Sequence, residues 1–367
     1  MPASTEPYVL NIGPQHPSTH GVFRLRVVMD GEVIRDLDMI VGYLHRSMEK
    51  LAEERTYTQN IPFTDRADYL AAMSSNLGLA LAAERLTGVA PTERSQYLRV
   101  IFAELQRIAS HAMANGTLIS DAGAWQTPLL YMFREREKIL DLFEMTCGAR
   151  LTTNYMRIGG VSFDPPPEFW PALAELVAEL PERIDEYFEL LTDNEIFLGR
   201  TRNVGIISPE DAINGSLTGP ALRGSGVPWD LRKAEPYCVY DRFDFDIPVG
   251  TVGDVYDRFM VRMEETKQSV RILQQAMAEI PSGPHKNDVA LALRPEPGEI
   301  YSRVESPRGE IGFYLVSDGT PAPYRFHLRA PSMINLSLLR EMGVGSSLPN
   351  AVVTLGSLDI VVGEIDR

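Results

Sequence analysis

Apolar and polar residues alternate from Phe23 to Ile40. Phe23, Leu25 and Val27 are separated by Arg24 and Arg26, and Val33, Ile34, Leu37 and Ile40 follow an Asp30-Gly31 pair. A period of two turns one set of side chains toward a core, and Asp-Gly is the pair that closes a tight hairpin. Residues 1–43 are therefore expected to be β-rich. The hairpin is entered through Gly13-Pro14-Gln15-His16-Pro17-Ser18-Thr19-His20-Gly21, a loop too rich in Gly and Pro to be regular.

Over residues 44–285 the period becomes helical. Thr64-Asp65 is expected to cap a helix carrying Leu70, Met73, Leu77 and Leu81, and Thr92 one carrying Leu98, Ile101, Leu105, Ile108 and Ala112. A third follows Pro128 through Leu130, Phe133, Leu140 and Phe143, and a later one holds Val255, Phe259, Met263 and Val270. Spacings of three and four behind a cap residue mark amphipathic helices, and several long ones pack as a bundle. Pro165-Pro166-Pro167 opens a shorter helical pair running through Pro181 to Leu191, and 214–228, with four glycines and two prolines, is expected to be a loop. Over 286–367 the β period returns in Ile300–Val304, Ile311–Val316 and Tyr324–Leu328, with a Ser-Pro-Arg-Gly turn at Ser306–Gly309. A short helix around Ser332–Arg340 and an apolar segment, Leu358–Val362, close the chain. With no internal repeat and no linker, the expectation is one α+β unit over 1–367: a central bundle of long helices between two β-rich regions.

Composition narrows the function classes. Apolar residues make up 44% and charged residues 23% of the 367, enough for a sizeable core. A net charge of −15 repels phosphate backbones and anionic lipid, so no nucleic-acid partner is expected. No apolar run approaches the roughly 18 residues that span a bilayer, and Met1–Pro7 lacks the basic and apolar parts of a signal peptide. The expected place is the cytoplasm, with membrane contact made through partners. Cys147 and Cys238 stand far apart and read as buried thiols, with no CxxC metal or redox motif.

Few residues point to chemistry on their own. His16 and His20 stand four apart, which on a helix suggests a metal pair; here Pro17 makes the segment a loop and no third ligand is near in sequence. They read either as hydrogen-bonded loop histidines or as a proton-active His at a loop tip. The glycines of 215–226 match neither GxGxxG nor GxxxxGK[ST], which removes a dinucleotide site. Arg134-Glu135-Arg136-Glu137-Lys138 reads as a solvated helix face.

Taken together, eight stretches carry a resemblance. Asn11–Gly21, Gly42-Tyr-Leu-His-Arg46 with Glu49-Lys50, Asp65-Arg-Ala-Asp-Tyr69, Phe133–Lys138, Gly148-Ala-Arg150, Arg157–Val161, Ser306–Glu310 and Gly-Glu-Ile-Asp-Arg367 occur in that order. The chain resembles, over essentially its whole length, the 49-kDa-type (D-type) subunits of proton-pumping NADH:quinone oxidoreductase, respiratory complex I. That family is similar to the nickel–iron hydrogenase large subunit, whose metals are held by N- and C-terminal CxxC pairs. Asp65–Tyr69 and Ile360–Arg367 contain no cysteine, so a thiolate metal site is not expected here.

The resemblance implies a hydrogenase-large-subunit-like fold and a place on the cytoplasmic side of the bacterial inner membrane. It implies as partners the cluster-bearing B, the C, the ferredoxin-like I and the membrane-embedded H subunits, with quinone as the substrate. No cofactor is expected in this chain; an iron–sulfur cluster lies in the adjacent subunit, and NADH and FMN bind elsewhere. It assigns quinone-headgroup contact to His20 and Tyr69, with Asp121 orienting the imidazole and favouring its charged form. Arg46 and Arg66 are implied as a cationic lining near the cluster. Thr152 stands where the family usually carries a His, and a hydroxyl cannot titrate near neutrality. One extra residue is also expected around Trp125-Gln126, which leaves the helix register beyond it open. Two other readings are a purely structural adaptor of such a complex, or a subunit of a ferredoxin-driven or hydrogenase-like membrane assembly.

Overall fold

The computed structural model describes residues 6–14, 20–123, 127–290 and 292–367. The chain opens with an antiparallel sheet of β1 (Tyr8–Ile12), β2 (Arg24–Asp30) and β3 (Val33–Ile40), in that spatial order. The hairpin turns at Gly31, φ +62°. A register shift between Val28 and Met29 pairs Met29 with Ile34 and leaves Val33 outside. Leu25, Val27, Met29, Ile34 and Leu37 form the buried face. His16 lies outside the described residues, as does Trp125-Gln126.

Five helices follow: α1 (Met48–Glu53), α2 (Tyr57–Thr64), α3 (Ala72–Thr87), α4 (Glu93–Asp121) and α5 (Thr127–Cys147). Thr64 does not cap a helix; it ends α2. The capping box belongs to Thr56 and Gln59, whose side chains bond each other's backbone N–H groups. Asp68 supplies the local order ahead of α3, its Oδ1 accepting the N–H groups of Leu70 and Ala71. Thr92 caps α4 as expected. Helix α4 is the central rod, packed on α5 and on the long helix of Val255–Glu279, and Gly116 admits α5 so closely that a methyl group there would stand 2.6 Å from Leu129. The 134–138 run is not simply solvated: Glu135 and Arg136 are buried, and Lys138 reaches Glu179 on the next long helix at 2.5 Å.

A small hairpin, β4 (Met156–Arg157) with β5 (Gly160–Val161), precedes α6 (Phe169–Leu191). Helix α6 runs unbroken through Pro181 where a pair of helices was expected. Its stripe of Leu173, Leu176, Val177, Leu180, Ile184, Tyr187 and Leu191 is buried on both sides of the proline. That continuous burial outweighs the ~3 kcal/mol a mid-helix proline costs. After α7 (Glu195–Thr201), the expected loop instead holds α8 (Pro209–Asn214) and α9 (Gly219–Gly224), the latter wholly buried. Then come α10 (Leu231–Ala234) and α11 (Val255–Glu279). The second sheet, β6 (Gly298–Ser306), β7 (Gly309–Ser317) and β8 (Arg325–Arg329), is antiparallel with its turn at Ser306–Gly309. The end of the chain is more helical than its apolar run suggested: α12 (Pro331–Ser337), α13 (Leu339–Gly343), α14 (Leu348–Ser357) and α15 (Val362–Asp366). Leu336, Leu339, Met342, Leu355 and Ile365 of this region pack on the N-terminal sheet. The α+β architecture matches the expectation.

The middle of the molecule is held by charge as well as by apolar packing. Arg223 on α9 reaches Glu265 at 2.7 Å and Glu305 at 2.8 Å, and Arg232 reaches Asp230 at 2.7 Å and Glu104 at 3.1 Å, all essentially excluded from water. Glu104 also accepts from Tyr240 and Ser269, each at 2.6 Å, and Glu265 from His111 at 2.9 Å. Burial alone would raise the Glu265 carboxyl, but Arg223 and the His111 hydrogen bond hold it well below the usual carboxylate range. Arg223→Ala leaves Glu265 and Glu305 buried without their shared cation and is expected to cost about 3–5 kcal/mol of stability, read by denaturant unfolding of the full-length chain. Arg223→Lys should restore only part of it, because a compact ammonium lacks the planar fork with which the guanidinium spans both carboxylates.

Candidate functional site

The site is assembled from turns that share one support. His20 lies between β1 and β2 with a left-handed backbone, φ +52°, and Asp121 is the last residue of α4. His20 Nε2 stands 2.5 Å from Asp121 Oδ2, with 15% and 24% of the two side chains exposed, so the pair is reachable from one side. The approach is close but lacks hydrogen-bond alignment. Its covered side is the backbone of α14: a methyl group on Gly356 would stand 2.8 Å from Asp121 Oδ2 and 3.1 Å from His20 Nε2.

Seven residues further on, the same segment supports Tyr69. A methyl group on Gly363 would lie 2.6 Å from the Ala67 carbonyl oxygen and 3.5 Å from the Tyr69 ring. Val362, next to it, fills the space beside Gly21. The stretch from Gly356 to Gly363 is thus a common floor for the His20–Asp121 pair at one end and Tyr69 at the other. Burial pushes the Tyr69 phenol above its ordinary value; Arg308 and Arg46 pull it back in part, while Asp68 and Asp359 add to the rise. The phenol is a neutral O–H donor near neutrality.

Arg308, at the β6–β7 turn, fixes this floor. Its Nη1 donates to Asp68 at 2.7 Å and its Nη2 to Asp359 at 3.2 Å, joining the α2–α3 loop to the C-terminal segment in a buried place. Asp366 closes the segment on the N-terminal region: its carboxylate accepts the N–H groups of Gly42 and Leu44, each at 2.7 Å. A cavity of about 490 Å³ opens beside that clamp, lined among others by Gly42, His45, Lys50, Met333 and Arg367.

The expected cationic residues form a second group. Arg46 Nη2 donates to the Arg66 carbonyl oxygen, while the Arg66 guanidinium donates to Pro62 O at 2.8 Å and stands 3.6 Å from Asp65. Both arginines are exposed, and with Met48, Leu51 and Phe63 they line a cavity of about 170 Å³. Asp65 is buried, and burial raises its carboxyl to about 6. Its Oδ1 accepts the Asn154 N–H at 3.3 Å, bringing the half-buried Thr152 segment to this side of the site.

Sequence reasoning missed Arg308, Asp68, Asp359, Glu364 and Asp366 as parts of the site. Their signal was present as charge inside otherwise apolar or turn-forming stretches, Asp65–Tyr69, Ser306–Glu310 and Leu358–Arg367. Cys147 and Cys238 are half-buried and unpaired, and burial raises each thiol to about 11, which keeps them inert. Among the described residues no group of three or more His, Cys, Asp or Glu side chains is arranged to hold a metal ion.

The chain is similar to known proteins over its length. The sequence pattern of the family described as respiratory-chain NADH dehydrogenase, 49 kDa subunit, matches residues 121–296 and 289–367. A protein from Dehalococcoides mccartyi, named as the D subunit of NADH-quinone oxidoreductase, is 56% identical over 367 residues, covering 100% of both chains. A D subunit from a Roseiflexus species is 56% identical over 371 residues, covering 99% of each. The D subunit from Clostridium beijerinckii is 50% identical over 363 residues, covering 99% of this chain and 98% of its own.

The Gly356 contact yields a direct test. Both groups that a methyl there would meet are the free ends of side chains, so they give way before the backbone does. Gly356→Ala is expected to leave the fold intact and part His20 Nε2 from Asp121 Oδ2 beyond ~4 Å, past ion-pair contact. A structure of the variant checks the distance; an unmoved pair contradicts the assignment of Gly356 as its floor.

Proposed function

The chain belongs to the family of the 49 kDa subunit of respiratory-chain NADH dehydrogenase, and on that premise we propose that it forms the headgroup pocket in which a proton-translocating NADH:quinone oxidoreductase reduces quinone. It is a subunit of an enzyme and not the whole of one. Electrons reach quinone from an iron–sulfur cluster held by the neighbouring B subunit, with NADH and FMN farther along the peripheral arm. The C, I and H subunits complete its surroundings and hold it on the cytoplasmic side of the cell membrane; no helix among the described residues is long and apolar enough to cross one itself. The hydrogenase-like scaffold supplies the cavity.

One observation carries the reading: two proton-bearing donors, His20 and Tyr69, stand over the two ends of one short segment, Gly356–Gly363. Reduction of quinone adds two electrons and two protons, and negative charge builds on two oxygens at opposite ends of the ring. Neutral or cationic donors aimed at those oxygens stabilise that charge and release protons to them. Tyr69 donates from its phenol. His20 donates from its imidazole, which the Asp121 carboxylate, 2.5 Å from Nε2, holds in place. Arg46 and Arg66 present positive charge on the flank where an electron donor's added negative charge is best received.

The competing adaptor reading gives Tyr69 no chemistry, so Tyr69→Phe separates the two. The variant is expected to reduce quinone about 10²–10³-fold more slowly, the scale of losing one transition-state donor, while NADH oxidation by an artificial acceptor upstream continues. Normal quinone reduction would favour the adaptor. A second prediction concerns the Thr152 flank: Thr152→His places a titratable ring beside the cationic group, so the cluster's midpoint potential should fall more steeply with pH than in the unaltered complex. Redox titration at several pH values reads the slope; an unchanged slope removes Thr152 from the cluster's surroundings.

A further inference from the structure

Under Tyr69 the molecule buries more acid than base. Asp68, Asp359 and Glu364 are withdrawn from water around the guanidinium of Arg308, three carboxyls to one cation in contact. Their partners are unequal. Burial raises the Asp68 carboxyl, while Arg308 at 2.7 Å and two backbone N–H groups at 3.1 Å act the other way and favour the carboxylate. Asp359 accepts Arg308 at 3.2 Å and also feels the positive charge of Arg262. Glu364 has less: it feels the Arg308 charge without an ion pair, Ser332 bonds its carboxyl, with the backbone N–H reaching Oε1 at 2.9 Å, and its Oε2 is buried without a hydrogen-bond partner. Among the described residues no Lys or Arg forms an ion pair with it. Burial without a close cation favours the neutral form of such a carboxyl.

We propose that Glu364 is the proton store that restores Tyr69 after each quinone reduction, a role that rests on the quinone-pocket reading above. Glu364 directly follows Gly363, the residue packed against the Tyr69 ring, and Arg308 faces Glu364, Asp68, Asp359 and Tyr69 together. The step balances simply. Quinone takes two electrons from the NADH side; an N–H bond of the His20 ring breaks to give a proton to one ring oxygen, the Tyr69 O–H bond breaks to give a proton to the other, and a phenolate remains at Tyr69. The Oε2–H bond of Glu364 then breaks, the Tyr69 O–H bond re-forms, and the Glu364 carboxylate takes a proton from solvent before the next turnover. Burial, with Asp68 adding to it, pushes the Glu364 carboxyl up to about 8. The Tyr69 phenol lies above its ordinary value of 10, so the transfer runs downhill. The groups facing Glu364 are Asp68 from the α2–α3 loop, Arg308 from the β6–β7 turn, the Ser332 backbone of α12, and Asp359 of its own segment. Glu364 touches no substrate; it acts through Tyr69.

The test uses the intact, membrane-bound oxidoreductase carrying Glu364→Gln or Glu364→Asp. The glutamine keeps the bond from Ser332 and cannot release a proton, whereas the aspartate can. A store that empties as pH rises through about 8 predicts that unaltered quinone reduction declines across that point. Glu364→Gln should be about 10²-fold slower, the low end for losing a proton-transfer group, with that decline gone. Glu364→Asp should recover part of the rate together with the pH dependence. Redox-induced infrared difference spectra should show a protonated-carboxyl carbonyl band that Glu364→Gln removes. Two results would overturn the proposal: a glutamine variant with unaltered rate and pH profile, or both variants equally slow with no carboxyl band lost, which is a purely structural role. If Tyr69→Phe is slow while Glu364→Gln is normal, this inference alone fails; if Tyr69→Phe is normal, the pocket reading fails first.

Discussion

The buried guanidinium of Arg308 is the contact on which the site depends. It is donated from the tip of the second sheet to Asp68 in the α2–α3 loop and to Asp359 between α14 and α15. Three segments far apart in the chain are thereby tied to one cation. The charge is costly to bury, and its two carboxylate partners, with the Leu70 and Ala71 N–H groups behind Asp68, offset that cost. What it secures is position: Tyr69 directly follows Asp68 in sequence, and the glycine-bearing floor begins three residues before Asp359.

That floor explains why small residues occur where they do. Gly356 and Gly363 let backbone, not side chain, lie against His20–Asp121 and Tyr69, so the donors keep their free sides. The electrostatics are divided in the same way. Neutral Tyr69 and the imidazole of His20 stand over one stretch, and the exposed arginines Arg46 and Arg66 stand on a flank tied to the Thr152 segment through Asp65 and Asn154. A pocket that must receive electrons from one side and supply protons from another has use for that separation.

Much of this was legible in the sequence where a rule of short range applied. The Asp30-Gly31 hairpin, the Thr92 cap of α4 and the Ser306–Gly309 turn are decided by neighbours in the chain, and each stands where expected. Reading failed where distant residues decide. Pro181 sits in an unbroken helix because the buried stripe of α6 continues past it, and the glycine-rich stretch before Trp229 folds into buried helix because Arg223 must meet Glu265 and Glu305. For the site, His20, Tyr69 and Asp121 were reached through the family resemblance, since a loop histidine and a single tyrosine carry no spacing signal. The acids beneath Tyr69 were invisible because their meaning lies in a shortage of partners, which only the folded arrangement displays.

The central claim is that a quinone ring is received between Tyr69 and His20. The most direct measurement is a structure of the assembled oxidoreductase with quinone bound, at a resolution that places the ring oxygens. The account predicts one oxygen within ~3 Å of the Tyr69 phenol and the other within ~3 Å of a His20 ring nitrogen. A ring seated beyond hydrogen-bond reach of both side chains would contradict it.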